Sequence, residues 1–354
     1  MKSERLGWRP GLEGLRGIAV LAVMGFHFPA TRPWFPGGSL GVDLFFVLSG
    51  FLITTLLLEE RAREGIISIL GFYRRRARRL LPALFLFLAL FSVITVGTGQ
   101  PGVDKLPMTI IASQLYVLNL VVGNGVAVTR GTGHLWSLSV EEQFYLVWPA
   151  LMLASAGLRS RTLFWLSVLA FAASASMPAW SGRSFWKLYT GADFRAHQLL
   201  AGALLAQLRF AGFVTPTIVD RLPFRAVLLF SVLFLSFSVI NMQGRHEFMF
   251  AGLFTVAAVS AAVLVCWALY RPPWILTNTV IRYVGSRSYA LYLWHHAMEF
   301  WVQGLGPLPE LALAIILSFV AAEASWRLVE QRDSLVPRFF GVLRRRRGAL
   351  AVPA

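Results

Sequence analysis

Apolar runs of about 20 residues follow one another along this chain with only short polar breaks, and that is the length a helix needs to cross the hydrocarbon core of a bilayer. A soluble helix must keep a polar face toward water, and these runs have none. Only 14% of the residues are charged and 56% are hydrophobic, against about 25% charged in an average soluble domain. The expected fold is therefore all-α, a polytopic membrane helix bundle of about ten spans. They fall near residues 14–30, 41–58, 80–98, 138–157, 162–178, 194–211, 224–242, 249–270, 286–304 and 310–329.

The formal charge of +16 comes from 33 basic against 17 acidic residues. Such an excess can signal nucleic acid, but here it lies between hydrophobic runs, which argues against a nucleic-acid partner and for topology. With a cytoplasmic amino terminus and ten spans, only Arg32, Lys105, Arg130, Arg183, Lys187, Arg195 and Arg245 of the basic residues fall outside. That is a strong positive-inside bias. Counting 106–122 as an eleventh span would put Arg159 and Arg161 outside, so this stretch is expected to be re-entrant or interfacial, held within protein on the outer side. Both termini are then cytoplasmic, with residues 1–335 as the membrane domain and 336–354 as a basic tail on anionic headgroups. The first span is expected to be retained rather than cleaved as a signal peptide. One cysteine, Cys266, excludes an intramolecular disulfide and a cysteine-based zinc cluster. Nothing in the sequence bears on oligomeric state.

Ionisable groups within spans are costly and usually face the bundle interior. Arg16 and His27 are eleven positions apart, about 20° past three full turns with a rise of about 16 Å, so both lie on one face of the first span. Together they mark the ends of a possible path. Taken singly, Arg16 reads as a snorkelling anchor and His27 as a hydrogen-bonded core histidine. Asp43 in GVDLFFVLSGFLIT stands at the depth of His27, where a carboxylate would fix the imidazole tautomer and raise its basicity; the plainer reading is a helix-start cap. Arg74, Arg75, Arg76, Arg78 and Arg79 crowd one helix start, more than topology needs, and could clamp phosphates through bidentate contacts.

The densest motif is HLWSLSVEEQFYLVWPAL, from His134 to Leu151. Its Glu141 and Glu142 stand at a helix amino terminus, where the macrodipole favours anions, and Glu142 is the expected functional acid. Gln143 is a candidate oxyanion donor. The ninth span, GSRSYALYLWHHAMEFW, carries His295, His296 and Glu299. His295 and Glu299 share a face at four-residue spacing and could hydrogen-bond, while His296 points about 100° away. No metal site is expected, because no second histidine stands in register with a His-Glu pair.

The segments GLEGLRGIAVLAVMGFHF, LGVDLFFVLSGFLIT, FYRRRARRLLPA, HLWSLSVEEQFYLVWP and GSRSYALYLWHHAM occur in this order, and together they resemble acyltransferase family 3, bacterial integral membrane O-acyltransferases. The resemblance implies a multi-pass protein of the bacterial cytoplasmic membrane that moves an acyl group, usually acetyl, from cytoplasmic acetyl-CoA or another acyl-CoA to a hydroxyl of a carbohydrate or glycosylated small molecule. By position, His27 resembles the family's essential histidine and Arg16 its partner. Arg75 and Arg78 match the RxxR pair, Glu142 the acid of the SLxxE segment, and Asp43 a further acid. The donor would bind Arg16, Arg74, Arg75, Arg78 and Arg79, and His134, His295 and Glu299 would form a substrate or secondary polar site. Many relatives carry an extracellular hydrolase-like domain after the membrane part, to which the resemblance does not extend. His27, oriented by Asp43 or Glu142, would act as general base or acyl relay. The rival reading is a proton-coupled transporter or flippase of a glycan or lipid-linked precursor, in which the same buried groups relay protons.

Overall fold

The computed structural model describes residues 6–242 and 249–331, so the basic tail expected at 336–354 lies outside the described residues. The chain runs through α1 (Pro10–His27), α2 (Leu40–Glu64), α3 (Ile69–Gly97), α4 (Leu106–Gln114), α5 (Leu118–Gly123), α6 (Trp136–Ala154), α7 (Ser160–Ser181) and α8 (Phe185–Thr190). It continues through α9 (Ala192–Phe210), α10 (Pro216–Val219), α11 (Leu222–Asn241), α12 (Leu253–Tyr270), α13 (Trp274–Thr277), α14 (Thr279–Ser286), α15 (Ser288–Trp301) and α16 (Pro307–Ser325). Proline at the first position of α1, where a backbone N–H has no helical partner to lose, and Gly65 at φ +78° after α2 place two of the boundaries.

Among the described residues, six helices are long and apolar enough to cross a membrane: α2, α3, α11, α12, Ser160–Ala179 within α7, and Pro307–Glu330, which extends α16. The remaining expected spans fall in α1, α6, α9 and α15. α15 has 14 residues. The other three carry the polar groups that lower their hydropathy: Glu13, Arg16 and His27; Glu141, Glu142 and Gln143; Arg195, His197 and Gln198.

Burial is distributed as in a bundle whose solvent is lipid. α11 exposes Leu229 (60%), Leu233 (60%) and Phe237 (67%), while the residues it buries are Ser231 and Ser238. α16 likewise turns inward a stripe of small residues, Ala314, Ser318, Ala322 and Ser325. α9 instead buries Arg195, His197, Gln198 and Gln207 with its leucines. The interior thus holds polar side chains beside its apolar core, while large apolar ones also face outward, as lipid allows and water would not.

Glycine sets the closest helix approaches. A Cβ on Gly50 of α2 would lie 1.8 Å from Leu199 O of α9, and one on Gly202 of α9 2.0 Å from Val47 O of α2. α1 meets α14 the same way, with Gly285 against Glu13 O at 1.9 Å and Gly17 against Ile281 O at 2.3 Å. Backbones pressed together in this manner are how membrane helices gain packing without a hydrophobic drive between them, and here they wedge α1 into the middle of the bundle.

The stretch 106–122 is broken into α4 and α5 around Tyr116, a non-glycine residue at φ 54°. At about 1.5 Å per residue neither piece can cross a bilayer, which agrees with a re-entrant or interfacial segment. It is anchored inside protein: Gln143 Nε2 donates to Tyr116 O (2.8 Å) and Asn119 Oδ1 (2.9 Å), and Thr190 Oγ1 donates to Asn119 O (2.9 Å). Gln143 is thus committed to holding this segment and is not free to serve an oxyanion.

Candidate active site

Two cavities face each other across the bundle. The histidine cavity, about 470 Å³, is lined by His27, His134 and His296 together with Arg32, Trp136 and Tyr189. The arginine cavity, about 370 Å³, is lined by Arg16, Arg76, Arg79, Glu141, Glu142 and Ser288. A wider mouth of about 650 Å³ shares Arg76 and Arg79 with the arginine cavity and adds Arg63, Arg75 and Glu60. Val42 and Tyr292 line both principal cavities and form the wall between them. Tyr292 donates to His134 O at 2.9 Å, and its hydroxyl lies 2.5 Å from Ser137 Oγ, so hydrogen bonds hold this septum shut. The stripe expected to join Arg16 to His27 is present on α1, but its two ends open into different cavities.

The histidines converge from three elements. α1 supplies His27, the turn Gly133–Leu135 supplies His134, and α15 supplies His295 and His296. The His27 ring centroid lies 4.6 Å from that of His296, 4.9 Å from His295 and 6.2 Å from His134. His27 Nδ1 lies 2.9 Å from Val23 O. A carbonyl can only accept, so Nδ1 carries the proton and Nε2 is the basic nitrogen of the neutral ring. His134 Nδ1 and His296 Nδ1 are 3.3 Å apart and form a second pair. His296, expected to face elsewhere, joins the cluster because α1 and the turn at His134 reach α15 from different sides. His295 and Glu299 do not share the hydrogen bond expected of their spacing. Glu299 accepts from Gln303 at 2.5 Å and lies 3.9 Å from His296 Nε2, while His295 turns back to its own helix backbone.

Asp43 is not the partner of His27. Its Oδ1 accepts from Arg195 Nη2 at 3.1 Å and from Gln198 Nε2 at 2.6 Å, both on α9. The cause is electrostatic. The Arg195 guanidinium is 1% exposed and enclosed by the rings of Phe254 (4.1 Å) and Tyr189 (5.3 Å). Ring faces attract a cation weakly, but a buried charge still needs a counter-ion. Glu142 is not beside His27 either: it lines the arginine cavity with Glu141, which accepts from Ser49 (3.2 Å) and Tyr145 (3.3 Å). Counted from Ser137, the acid at SLxxE spacing is Glu141 rather than Glu142.

The arginine run divides by helical phase. Arg76, its guanidinium 4.4 Å from the Tyr145 ring, and Arg79 reach the arginine cavity, where Arg16 Nε donates to Ser288 Oγ at 3.1 Å. Arg75 pairs with Glu60 (3.1 Å) at the mouth, and Arg74 and Arg78 are exposed and line none of the three cavities. Arg76 and Arg79 have the same spacing as Arg75 and Arg78, and they are the pair that lines the arginine cavity, Arg76 half-buried and Arg79 exposed. Arg195 and Tyr292 are thus residues of the candidate site that sequence reasoning left out, while Arg76, Glu141 and His296 were named in it without the places they take here. Among the described residues, no group of three or more His, Cys, Asp or Glu side chains is arranged to hold a metal ion.

A family profile described as an acyltransferase domain matches residues 9–326. Two relatives from Staphylococcus aureus are similar over nearly the whole chain. "Putative O-acetyltransferase SAR0937" of strain MRSA252 is 31% identical, covering 96% of this chain and 61% of the relative. O-acetyltransferase OatA of strain NCTC 8325 is 32% identical, covering 91% of this chain and 56% of the relative. The chain thus spans about three-fifths of the length of the relatives it matches. No solved structure matches the chain. With the profile running from the start of α1 to the end of α16, the chain belongs to the acyltransferase 3 family.

Proposed function

We propose that this protein is a multi-pass membrane O-acyltransferase. An acyl-CoA, acetyl-CoA first among them, enters at the arginine mouth, and the acyl group is passed to a hydroxyl of a carbohydrate or glycosylated small molecule in the histidine cavity. His27 is the general base. The positive-inside bias supports placing the arginine mouth on the cytoplasmic side of a bacterial inner membrane, with both termini cytoplasmic. Arg16, Arg76 and Arg79 would take the donor phosphates, since guanidinium groups pair with phosphate oxygens in a planar fork. The names of the relatives make acetyl the first group to test.

The observation that carries the reading is the tautomer of His27, with Nδ1 tied to Val23 O and basic Nε2 on the wall of a cavity large enough for a sugar. In the transfer the Tyr292 septum opens to admit the thioester from the arginine cavity, His27 Nε2 takes the acceptor proton as the oxygen bonds to the acyl carbon, the carbon–sulfur bond breaks, and the proton passes to the departing thiolate. Replacing His27 by Ala in native membranes and following labelled acetyl-CoA tests this. Transfer should fall by about 10²- to 10⁴-fold, the usual worth of general base catalysis, with donor binding kept. Undiminished transfer removes His27 from the chemistry.

A transporter reading draws on the same two cavities, which face each other across a thin septum as alternating access requires. Label from acetyl-CoA appearing covalently on an acceptor decides for the enzyme; movement of unmodified solute decides for the transporter.

A further inference from the structure

The imidazole of His295 is 0% exposed and lines neither cavity, yet its Nε2 lies 3.2 Å from His27 Nδ1. Its own Nδ1 lies 2.9 Å from Tyr292 O and 3.1 Å from Leu291 O. Both are carbonyls, so Nδ1 of His295 holds the ring proton, and Nε2 of the neutral ring is a bare lone pair. The Nδ1 proton of His27 is therefore shared between Val23 O and His295 Nε2. Backbone carbonyls of α15 set the tautomer of His295, and His295 in turn sets that of His27.

We infer that His295 is the positioning residue of His27, filling the place a carboxylate holds in a histidine–aspartate pair; the inference rests on His27 being the base. Among the described residues no carboxylate competes for that place, since Asp43 is engaged by Arg195 and Gln198, and Glu299 by Gln303. The neutral partner suits its surroundings. An ionised carboxylate at a fully enclosed position would lose its hydration, whereas an imidazole lone pair loses little and still orients the base. Proton accounting closes without a further reactant. When His27 Nε2 takes the hydroxyl proton of the acceptor, the positive charge on the ring is spread along Nδ1–H toward His295 Nε2. The oxygen–carbon bond forms, the carbon–sulfur bond of the thioester breaks, and the proton on His27 Nε2 leaves with the thiolate. His295 ends as it began, with its proton on Nδ1.

The test replaces His295 in the full chain by Gln, Asn and Leu, beside His27→Ala, and follows labelled acetyl-CoA in membranes for both binding and transfer. The glutamine amide oxygen falls near the position of Nε2 and can accept from His27 Nδ1. The asparagine oxygen falls near Nδ1 and cannot reach, and leucine fills space without an acceptor. Transfer by His295→Gln should exceed that of His295→Asn and His295→Leu by about tenfold or more, with the last two near His27→Ala and donor binding alike in all, as expected for loss of an oriented base. A residue that only fills space predicts the opposite, leucine equal to or above glutamine, and that order overturns the inference. Asparagine and glutamine are alike in polarity, so their comparison stands even where leucine fails to insert. Wild-type transfer by His27→Ala would instead strike the reading of His27 itself.

Discussion

Arg195 Nη2 stands 3.1 Å from Asp43 Oδ1, with the two side chains 1% and 2% exposed, and this pair ties α9 to α2 behind the aromatic wall of the histidine cavity. Tyr189 and Trp136 line that cavity, their rings tilted at 54° with centroids 5.1 Å apart, and the guanidinium carbon lies 5.3 Å and 5.8 Å from them. In the proposed reaction the pair supports the site and carries no proton. Asp43→Asn should leave a buried cation unpaired and cost about 3–5 kcal/mol of stability. The double variant with Arg195→Met removes both charges and should lie closer to wild type than either single change. Thermal unfolding in detergent measures this, and a loss of transfer by Asp43→Asn at unchanged stability would return the aspartate to the chemistry.

The proposed donor site divides the arginines that the sequence presents as one run. Arg76→Ala with Arg79→Ala should weaken binding of labelled acetyl-CoA by at least about tenfold, since charge-assisted hydrogen bonds are worth roughly 1.5–3 kcal/mol each. Arg74→Ala with Arg78→Ala should stay within about twofold, as neither side chain lines a cavity and surface charges away from the ligand contribute little. Equal effects of the two pairs would mean that the run acts as a diffuse basic surface and not through the cavity.

What was legible in the sequence is what local geometry determines. The apolar runs mark the helices, and the spacing of eleven positions from Arg16 to His27 places both on one stripe of α1 whatever surrounds it. Pairings across the bundle were not legible. Asp43 meets Arg195 across 152 positions and His27 meets His295 across 268, and helical phase says nothing about which neighbouring helix a face will meet. The same limit explains His296: its direction on α15 was read correctly, but α15 is approached from more than one side. One signal was available and passed over. Arg195, His197 and Gln198 lie in an apolar stretch, and counting Arg195 as an external charge hid the partner of Asp43.

The septum predicts how the two cavities should be reached by reagents. Cys266 is the chain's single cysteine and is buried, so replacing it by Ala gives a clean background for cysteine labelling. In that background Ser39→Cys, on the histidine cavity, should react with a membrane-impermeant maleimide from one side of the membrane only, and Ser49→Cys, on the arginine cavity, from the other only. Adding Tyr292→Ala removes the ring between the cavities and its bonds to Ser137 and His134 O, and should make both positions reactive from both sides. Labelling of either position from both sides with Tyr292 intact would show that the wall is open without it.

Helix approach can be tested apart from chemistry at Gly202. A Cβ there would lie 2.0 Å from Val47 O and 2.6 Å from Phe51 N, both backbone atoms of α2 that no rotamer change can move aside. Gly202→Val must therefore push α9 away from α2, and the pair between Arg195 and Asp43 stretches with it. Overpacking alone costs about 1–3 kcal/mol, and partial loss of the buried pair adds to it, so the thermal midpoint should fall clearly below wild type. Gly97→Ala is the control, because a Cβ at that position meets nothing within 4 Å and the helical residue gains propensity. It should be neutral or slightly stabilising, and a similar loss at both sites would mean that α2 and α9 do not meet through backbone contact.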